Sequence, residues 1–340
     1  MEDYMCEALF FLTRKCTGTV IKKSLKVTKT SLFENDLKFI QALASLLEEQ
    51  YEQALMLVNE IKEEEDFKLA SLLVMVHAYK NMPDAEKEKI TELDAKIKII
   101  RKTATDQSLY YAGVCMLSFL KYDKAREFTE RSLKLCPSSN KAKYLYGLIL
   151  QTKANKESRT DVISYFKSTS SEESREDLFG LARYYRSIEE FSNSLDRLNA
   201  LIMLYPEFIP ALVEKIDVLL AMGQWERALD AALRCLDVDG RCVEASKYKV
   251  FHALCRGGNY MQALCSLDKH YNLLSAVESN NRYQFEQMAN LIYRVTALFL
   301  LAHTSSPSVT LLATNVPPML LLCDDRSPAP FKAHHTSERG

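Results

Sequence analysis

The stretch that decides the fold is residues 209–238, IPALVEKIDVLLAMGQWERALDAALRCLDV. Leu212, Ile216 and Leu219 fall on one face of a first predicted helix. Ala228 and Ala232 fall on one face of a second helix, which opens with the short sequence Trp225-Glu-Arg-Ala228. The stretch therefore predicts a helix–turn–helix unit, marked at its turn by an aromatic residue, two polar residues and a small residue.

The same turn signature recurs along the chain with a period near 34 residues. Its occurrences are Tyr51-Glu-Gln-Ala54, Tyr122-Asp-Lys-Ala125, Phe191-Ser-Asn-Ser194, Trp225-Glu-Arg-Ala228 and Tyr260-Met-Gln-Ala263. The small residues are separated by 71, 69, 34 and 35 positions, so each long gap holds two periods. The two units without a clear signature are predicted at Leu69–Lys102 and at Asn140–Ser170, where Val162 takes the small-residue position. Five signatures in phase predict an all-α solenoid.

The repeat resembles the tetratricopeptide repeat in length and in residue type. That resemblance implies a right-handed superhelix of antiparallel helix pairs, with the first helix of each unit lining a concave groove. Small residues are expected where the two helices of a unit cross, because a larger side chain there would cost about 1–3 kcal/mol. The predicted repeat-packing positions are Gly113, Ala125, Gly147, Ala182, Ala228 and Ala263.

The periodic pattern also predicts the domain boundaries. Residues 1–35 are predicted to be partly helical, and residues 36–302 to form a solenoid of about seven units plus a terminal helix. Residues 303–340, rich in Ser and Pro, are predicted to be a disordered tail. The terminal helix, Asn281–Leu301, ends very apolar. We expect its exposed face to be either adhesive or covered by the tail.

Groove-facing positions of the first helices form a mainly aromatic ladder: Tyr110, Tyr144, Phe179, Val213 and Tyr248. The same face carries the charged and polar residues Arg183, Arg186, Asp217, His252 and Arg256. Tyr and Arg dominate binding hot spots, so this set suits a partner's helix or extended segment. The alternative interpretation is that the rings pack inside the array, against neighbouring repeats.

Composition and motifs argue against an enzyme. Nine Gly and nine Pro are few for 340 residues, and no phosphate-binding loop or hydrolase signature is present. The best metal-like spacing is His252, Cys255, Cys265 and His270, but these residues fall on two different predicted helices with no reason to converge. Gly257-Gly258-Asn259 reads as an inter-helix turn. We therefore expect no catalytic site, no metal and no cofactor.

Charge and hydropathy predict an intracellular, cytoplasmic protein. With 44 Lys plus Arg against 45 Asp plus Glu, the net charge of −1 gives no attraction to nucleic acid or to an anionic membrane. No apolar stretch reaches the roughly 18 residues of a membrane span. Glu2 and Asp3 stand where a signal peptide carries positive charge, and the nine Cys are expected to be mostly reduced and buried.

Several stretches further resemble the tetratricopeptide repeat protein 21 family, including segments that repeat geometry does not dictate. They are Leu93-Asp-Ala-Lys-Ile-Lys-Ile-Ile-Arg-Lys102, Leu109-Tyr-Tyr-Ala-Gly113, Tyr122-Asp-Lys-Ala-Arg-Glu127, Phe208-Ile-Pro-Ala-Leu-Val213 and Cys255-Arg-Gly-Gly-Asn259. The similarity runs from about Asp36 to Val295. Residues 1–35 match loosely, the family's chains are several times longer, and Thr296–Gly340 looks foreign to it.

The family resemblance implies a scaffold subunit of the intraflagellar transport A complex. Its implied roles are retrograde ciliary transport, cilium assembly and ciliary membrane-protein trafficking. Its implied partners are the other subunits of that complex and ciliary cargo or adaptor proteins, and its implied locations are the cytoplasm, the cilium and the basal body. The alternative function is that of a cytosolic adaptor that docks a partner peptide or helix in the groove.

Overall fold

The computed structural model describes residues 2–27, 33–83, 87–153, 160–166, 174–256, 260–277 and 280–303. Within these ranges the chain is helical apart from its turns, which confirms the predicted all-α solenoid. The first ten α-helices are α1 (Glu2–Thr13), α2 (Thr17–Val27), α3 (Glu34–Leu47), α4 (Tyr51–Ile61), α5 (Lys68–Asn81), α6 (Lys87–Thr103), α7 (Asp106–Ser118), α8 (Tyr122–Leu135), α9 (Asn140–Lys153) and α10 (Arg175–Ser187). The remaining ones are α11 (Phe191–Leu204), α12 (Ile209–Ala221), α13 (Trp225–Val238), α14 (Val243–Cys255), α15 (Tyr260–Val277) and α16 (Asn280–His303).

The helices pack as consecutive pairs, each pair against the next. The pairs are α3/α4, α5/α6, α7/α8, α10/α11, α12/α13 and α14/α15, and α16 packs on α15. In the unit predicted at Asn140–Ser170, a 3-10 helix (Thr160–Phe166) follows α9 in the place of a second α-helix. The predicted tail begins where the described residues end, and the predicted turn Gly257–Asn259 also lies outside them.

A common backbone turn links the paired helices and fixes their register. Its central residue adopts the left-handed conformation, with φ between 56° and 71°, at Lys15, Glu49, Leu120, Glu189 and Gly223. The N–H of the next residue then donates to a carbonyl five positions earlier, as from Gln224 to Leu219 at 2.9 Å. This arrangement closes the first helix, and only Gly adopts it without steric cost.

The turn at Lys15 shows that α1 and α2 form one more unit of the array. Lys15 precedes Glu49 by one period of 34 residues, and the Cys16 N–H donates to the Phe11 carbonyl at 2.8 Å, as in the later turns. The second helix of this pair, α2, packs on α3, as the second helix of a regular unit does. The first helix, α1, instead crosses the groove.

The six repeat-packing positions are buried in the contacts between helices. A side chain on Gly113 would lie 2.5 Å from the Thr129 hydroxyl, and one on Gly147 would overlap the Phe166 ring. The same ring leaves no room for a side chain on Gly180. Phe166, at the end of the 3-10 helix, therefore fills the space between α9 and α10.

Candidate functional site

The concave groove is filled by the chain's own first helix. Helix α1 lies against α7, α10 and α12, three of the first helices that line the groove. Its apolar run places Phe10 and Phe11 among the largest fully buried side chains of the described chain. The sequence prediction left residues 1–35 without an assigned place, so this contact is a finding of the structure.

The aromatic ladder provides the apolar part of this contact. The five ladder residues are buried, none of them more than 3% exposed. The Cys6 thiol of α1 donates to the Tyr144 hydroxyl oxygen at 3.3 Å. The ring of Phe10 packs edge-on against Phe179, with 5.6 Å between the ring centroids. The middle of the ladder thus packs against α1.

A charged cluster anchors the end of α1 to the groove. Arg14 lies 3.2 Å from Glu214 and 2.5 Å from Asp217, and Arg186 lies 2.6 Å and 3.2 Å from the same two carboxylates. The four side chains are between 2% and 21% exposed, and their two positive and two negative charges balance. Removing one partner of such a buried cluster leaves an uncompensated charge.

The neighbouring carboxylates of Asp217 and Glu214 favour the charged form of Arg14. Burial lowers the pKa of its guanidinium, but Asp217 and Glu214 together raise that pKa above its ordinary value. Arg14 therefore stays charged, and its guanidinium also lies 4.6 Å from the centroid of the Phe10 ring. Arg14 thus contacts both an aromatic ring and the carboxylates of the groove.

The α1/α2 turn and α2 extend this attachment toward the C-terminal half of the array. The Cys16 thiol donates to Glu244 at 2.9 Å, and the Lys22 ammonium donates to the Ala276 carbonyl. Lys23 pairs with Glu7 of α1 at 2.5 Å and with Asp239 at 3.7 Å. The N-terminal helix pair thus contacts helices of the array between α3 and α15.

The remaining predicted groove residues interact with their own neighbours in the array. Tyr248 donates to the Trp225 carbonyl at 2.8 Å, and the Arg256 guanidinium lies 5.3 Å from the Trp225 ring centroid. His252 lies 3.0 Å from Glu226, and the Arg183 guanidinium lies 5.9 Å from the Phe179 ring centroid. The predicted set is therefore split between an α1-bound region and a C-terminal region around Trp225, where Arg256 is exposed.

Two features of the groove escaped the sequence pattern. Glu214 is fully buried and bonds both Arg14 and Arg186, yet it lies one position away from the ladder residue Val213. Its signal in the sequence was an acidic residue one turn before Asp217, in a first helix whose other residues are mainly apolar. The second feature is α1 itself, so a partner segment could enter this part of the groove only by displacing α1.

Metal ligands, cysteines and membrane-spanning helices were the other features that the described residues could have shown. Within the ranges given above, no three His, Cys, Asp or Glu side chains converge as metal ligands. The eight cysteines in those ranges are free thiols, and five of them are buried. None of the helices described is both long and apolar enough to cross a bilayer.

Comparisons with known proteins agree with the resemblance read from the sequence. The profile of the tetratricopeptide repeat protein 21 N-terminal ARM repeat matches residues 8–229. The chain belongs to the tetratricopeptide repeat protein 21 family. It is 31% identical to human tetratricopeptide repeat protein 21B over 268 residues, and 30% identical to human tetratricopeptide repeat protein 21A over 258 residues. These matches cover 77% and 73% of this chain but only 20% and 19% of the relatives.

Solved structures place the family member among tetratricopeptide-repeat folds. Yeast Tom70 superposes with a TM-score of 0.57 at 14% identity, covering 88% of this chain and 61% of Tom70. A tetratricopeptide repeat protein from Parabacteroides merdae gives 0.50 at 13% identity, covering 78% of this chain and 99% of that protein. These similarities support the fold, a repeat architecture that generally mediates protein–protein contacts.

Proposed function

We propose that this tetratricopeptide repeat protein 21 family member is a non-enzymatic interaction scaffold of the intraflagellar transport A complex. The observation that carries the proposal is the family match over residues 8–229, most of the described array. Its role is to present surfaces to the other subunits and to ciliary cargo or adaptors, in retrograde transport, cilium assembly and membrane-protein trafficking. Its locations are the cytoplasm, the cilium and the basal body.

The filled groove supports a specific way of working. Because α1 occupies the middle of the aromatic ladder, the ladder and the charged cluster hold the array in one curvature. Other subunits then contact the outer helices and the ends of the array, where side chains are exposed. The scaffold acts as a preformed body, so its partners bind without first ordering the repeats.

The second candidate is a cytosolic adaptor that docks a partner segment in the groove. The observation that favours it is the C-terminal region, where exposed Arg256 lies over the buried Trp225 ring and His252 is only partly buried. An extended segment with an acidic residue would suit a surface that combines a cation with aromatic rings.

Affinity capture from ciliated cells separates the two candidates. The tagged full chain is compared with Arg256→Glu and with a matched control, Arg241→Glu, which reverses an exposed charge outside the groove. The scaffold proposal expects intraflagellar transport A subunits with all three proteins. Their absence from all three would reject it. A non-ciliary partner that is lost only with Arg256→Glu would support the adaptor.

A further inference from the structure

Helix α16 carries the largest exposed apolar face of the described chain. Met288, Leu291, Ile292, Val295 and Leu298 are between 52% and 67% exposed. At 3.6 residues per turn, these five positions fall within an arc of about 120°. A continuous apolar stripe of this kind marks an interaction surface, in contrast to single exposed side chains.

The opposite face of α16 packs against the preceding helices of the array. Ala297 is fully buried, the Tyr293 ring lies 5.0 Å from Phe251, and Glu286 pairs with Lys247 at 2.7 Å. These contacts fix the rotation of the helix. The apolar stripe is therefore held outward by packing on the other side, and it cannot turn inward to be buried.

We propose that residues 309–323 of the same chain cover this stripe. The segment reads VTLLATNVPPMLLLC and contains no charged side chain, although the chain as a whole is 26% charged. It lies outside the described residues, and only five residues, 304–308, separate it from the end of α16. Its apolar side chains match the chemistry of the stripe.

The lengths allow the segment to reach the stripe. Five residues extend to about 17 Å. Measured along α16 from His303 at 1.5 Å per residue, Leu298 lies about 8 Å away and Met288 about 22 Å, so the linker reaches the near end of the stripe and the segment itself spans the rest. Pro317 and Pro318 exclude a continuous helix through the segment, so the proposed contact is that of an extended strap.

Covalent attachment to α16 favours this segment over a second copy of the chain as the occupant of the stripe. A short flexible linker gives an effective concentration in the mM range. At a protein concentration of about 10 μM, the tethered segment is then favoured about 100-fold over an equal surface on another molecule. The same argument applies to any partner present at micromolar concentration in the cell.

Photo-crosslinking in the full chain tests the proposal with purified protein alone, independently of the ciliary function. A benzophenone amino acid replaces Ile292 on the stripe or, as the control, Met203 on α11, which is 83% exposed. We expect the probe at 292 to join peptides from 309–323 within the monomer, with a yield unchanged by tenfold dilution. The probe at 203 is expected to give at least tenfold less of that product.

Variants in the segment itself complete the test. Leu312→Asp with Leu320→Asp is expected to lower the intramolecular crosslink at least fivefold, while Thr310→Asp with Thr314→Asp, which adds the same charge at polar positions, leaves most of it. All four positions lie outside the described residues, and circular dichroism of each variant checks that the array still folds. Crosslinks found mainly in a dimer and lost on dilution, or no crosslink to 309–323 at all, would overturn the proposal.

Discussion

The groove and the outer stripe of α16 are both apolar surfaces of the array, but they differ in what the described residues place over them. The groove is closed by α1, which contributes buried aromatic rings and a four-charge cluster. The α16 stripe is exposed over more than half of each side chain. Apolar character alone therefore does not make a partner site, because the chain supplies its own occupant for the groove.

The difference also has an energetic side. A ring such as Phe10, packed against Phe11 and Phe179, contributes stability through area removed from water and through edge-on ring contacts. A side chain on the stripe is packed little by the described helices, so it contributes mainly what the proposed contact with residues 309–323 supplies. Substituting one residue in each region and comparing the losses in unfolding free energy therefore measures this difference directly.

Truncating an aromatic residue of α1 should give the largest effect. Phe10→Ala removes a ring that is 1% exposed, and we expect a loss of about 3–5 kcal/mol in the free energy of unfolding. Leu291→Ala, on the stripe, removes only the proposed contact with residues 309–323 and should cost about 1 kcal/mol. Urea denaturation followed by circular dichroism measures the free energy of unfolding of both variants. Equal losses would mean that the groove and the stripe contribute equally to stability, contrary to the structure.

Removing an arginine from each region should give the next effect. Arg14→Ala leaves Glu214 and Asp217 with one guanidinium between them and should cost about 3 kcal/mol. Its counterpart is Arg294→Ala on α16, which breaks a pair with Asp268 at 2.8 Å in which both side chains are about half exposed. That change should cost about 0.5 kcal/mol or less. A small loss for Arg14→Ala would mean that the cluster is not closed to water.

A pH series should give the smallest effect, from a histidine that belongs to neither region. Burial, with Lys121 and Lys80 nearby, lowers the pKa of His77 to about 4, below its ordinary value of 6.5. The unfolded chain therefore binds a proton between these values that the folded chain excludes, and stability falls as the pH drops from 6.5 towards 4.

His77 is only partly buried, so the loss should be only about 1 kcal/mol. His77→Phe keeps the stacking on Phe119, where the ring centroids are 4.0 Å apart, and should flatten that part of the pH profile. Unfolding free energies at pH 7 and pH 4.5 for both proteins provide the measurement. An unchanged slope in the variant would exclude His77 as the source.

The repeat and its phase could be predicted from the sequence because they are local. The aromatic anchors Tyr51, Tyr122 and Trp225 each open the second helix of a pair, two residues after a left-handed turn position. The small residues Gly113 and Gly147 leave space that Thr129 and Phe166 fill. Each of these features depends on residues within one or two units, so spacing alone reveals it.

The occupation of the groove could not be predicted in this way. Arg14 meets Asp217 across 203 positions of sequence, and Cys6 meets Tyr144 across 138. The α1/α2 turn lacks the aromatic anchor, because Thr17 stands where the later units have a ring. The 3-10 helix that holds Val162 was missed for a related reason, since the repeat phase fixes the position of a residue and not the type of helix around it.

The most direct test of the filled groove is a double-mutant cycle between Arg14 and Asp217. Unfolding free energies are measured for wild type, Arg14→Ala, Asp217→Asn and the double variant. A contact in one buried cluster predicts a coupling energy of about 1–3 kcal/mol between the two sites. Additive effects, with a coupling below about 0.3 kcal/mol, would show that α1 does not occupy the groove in solution.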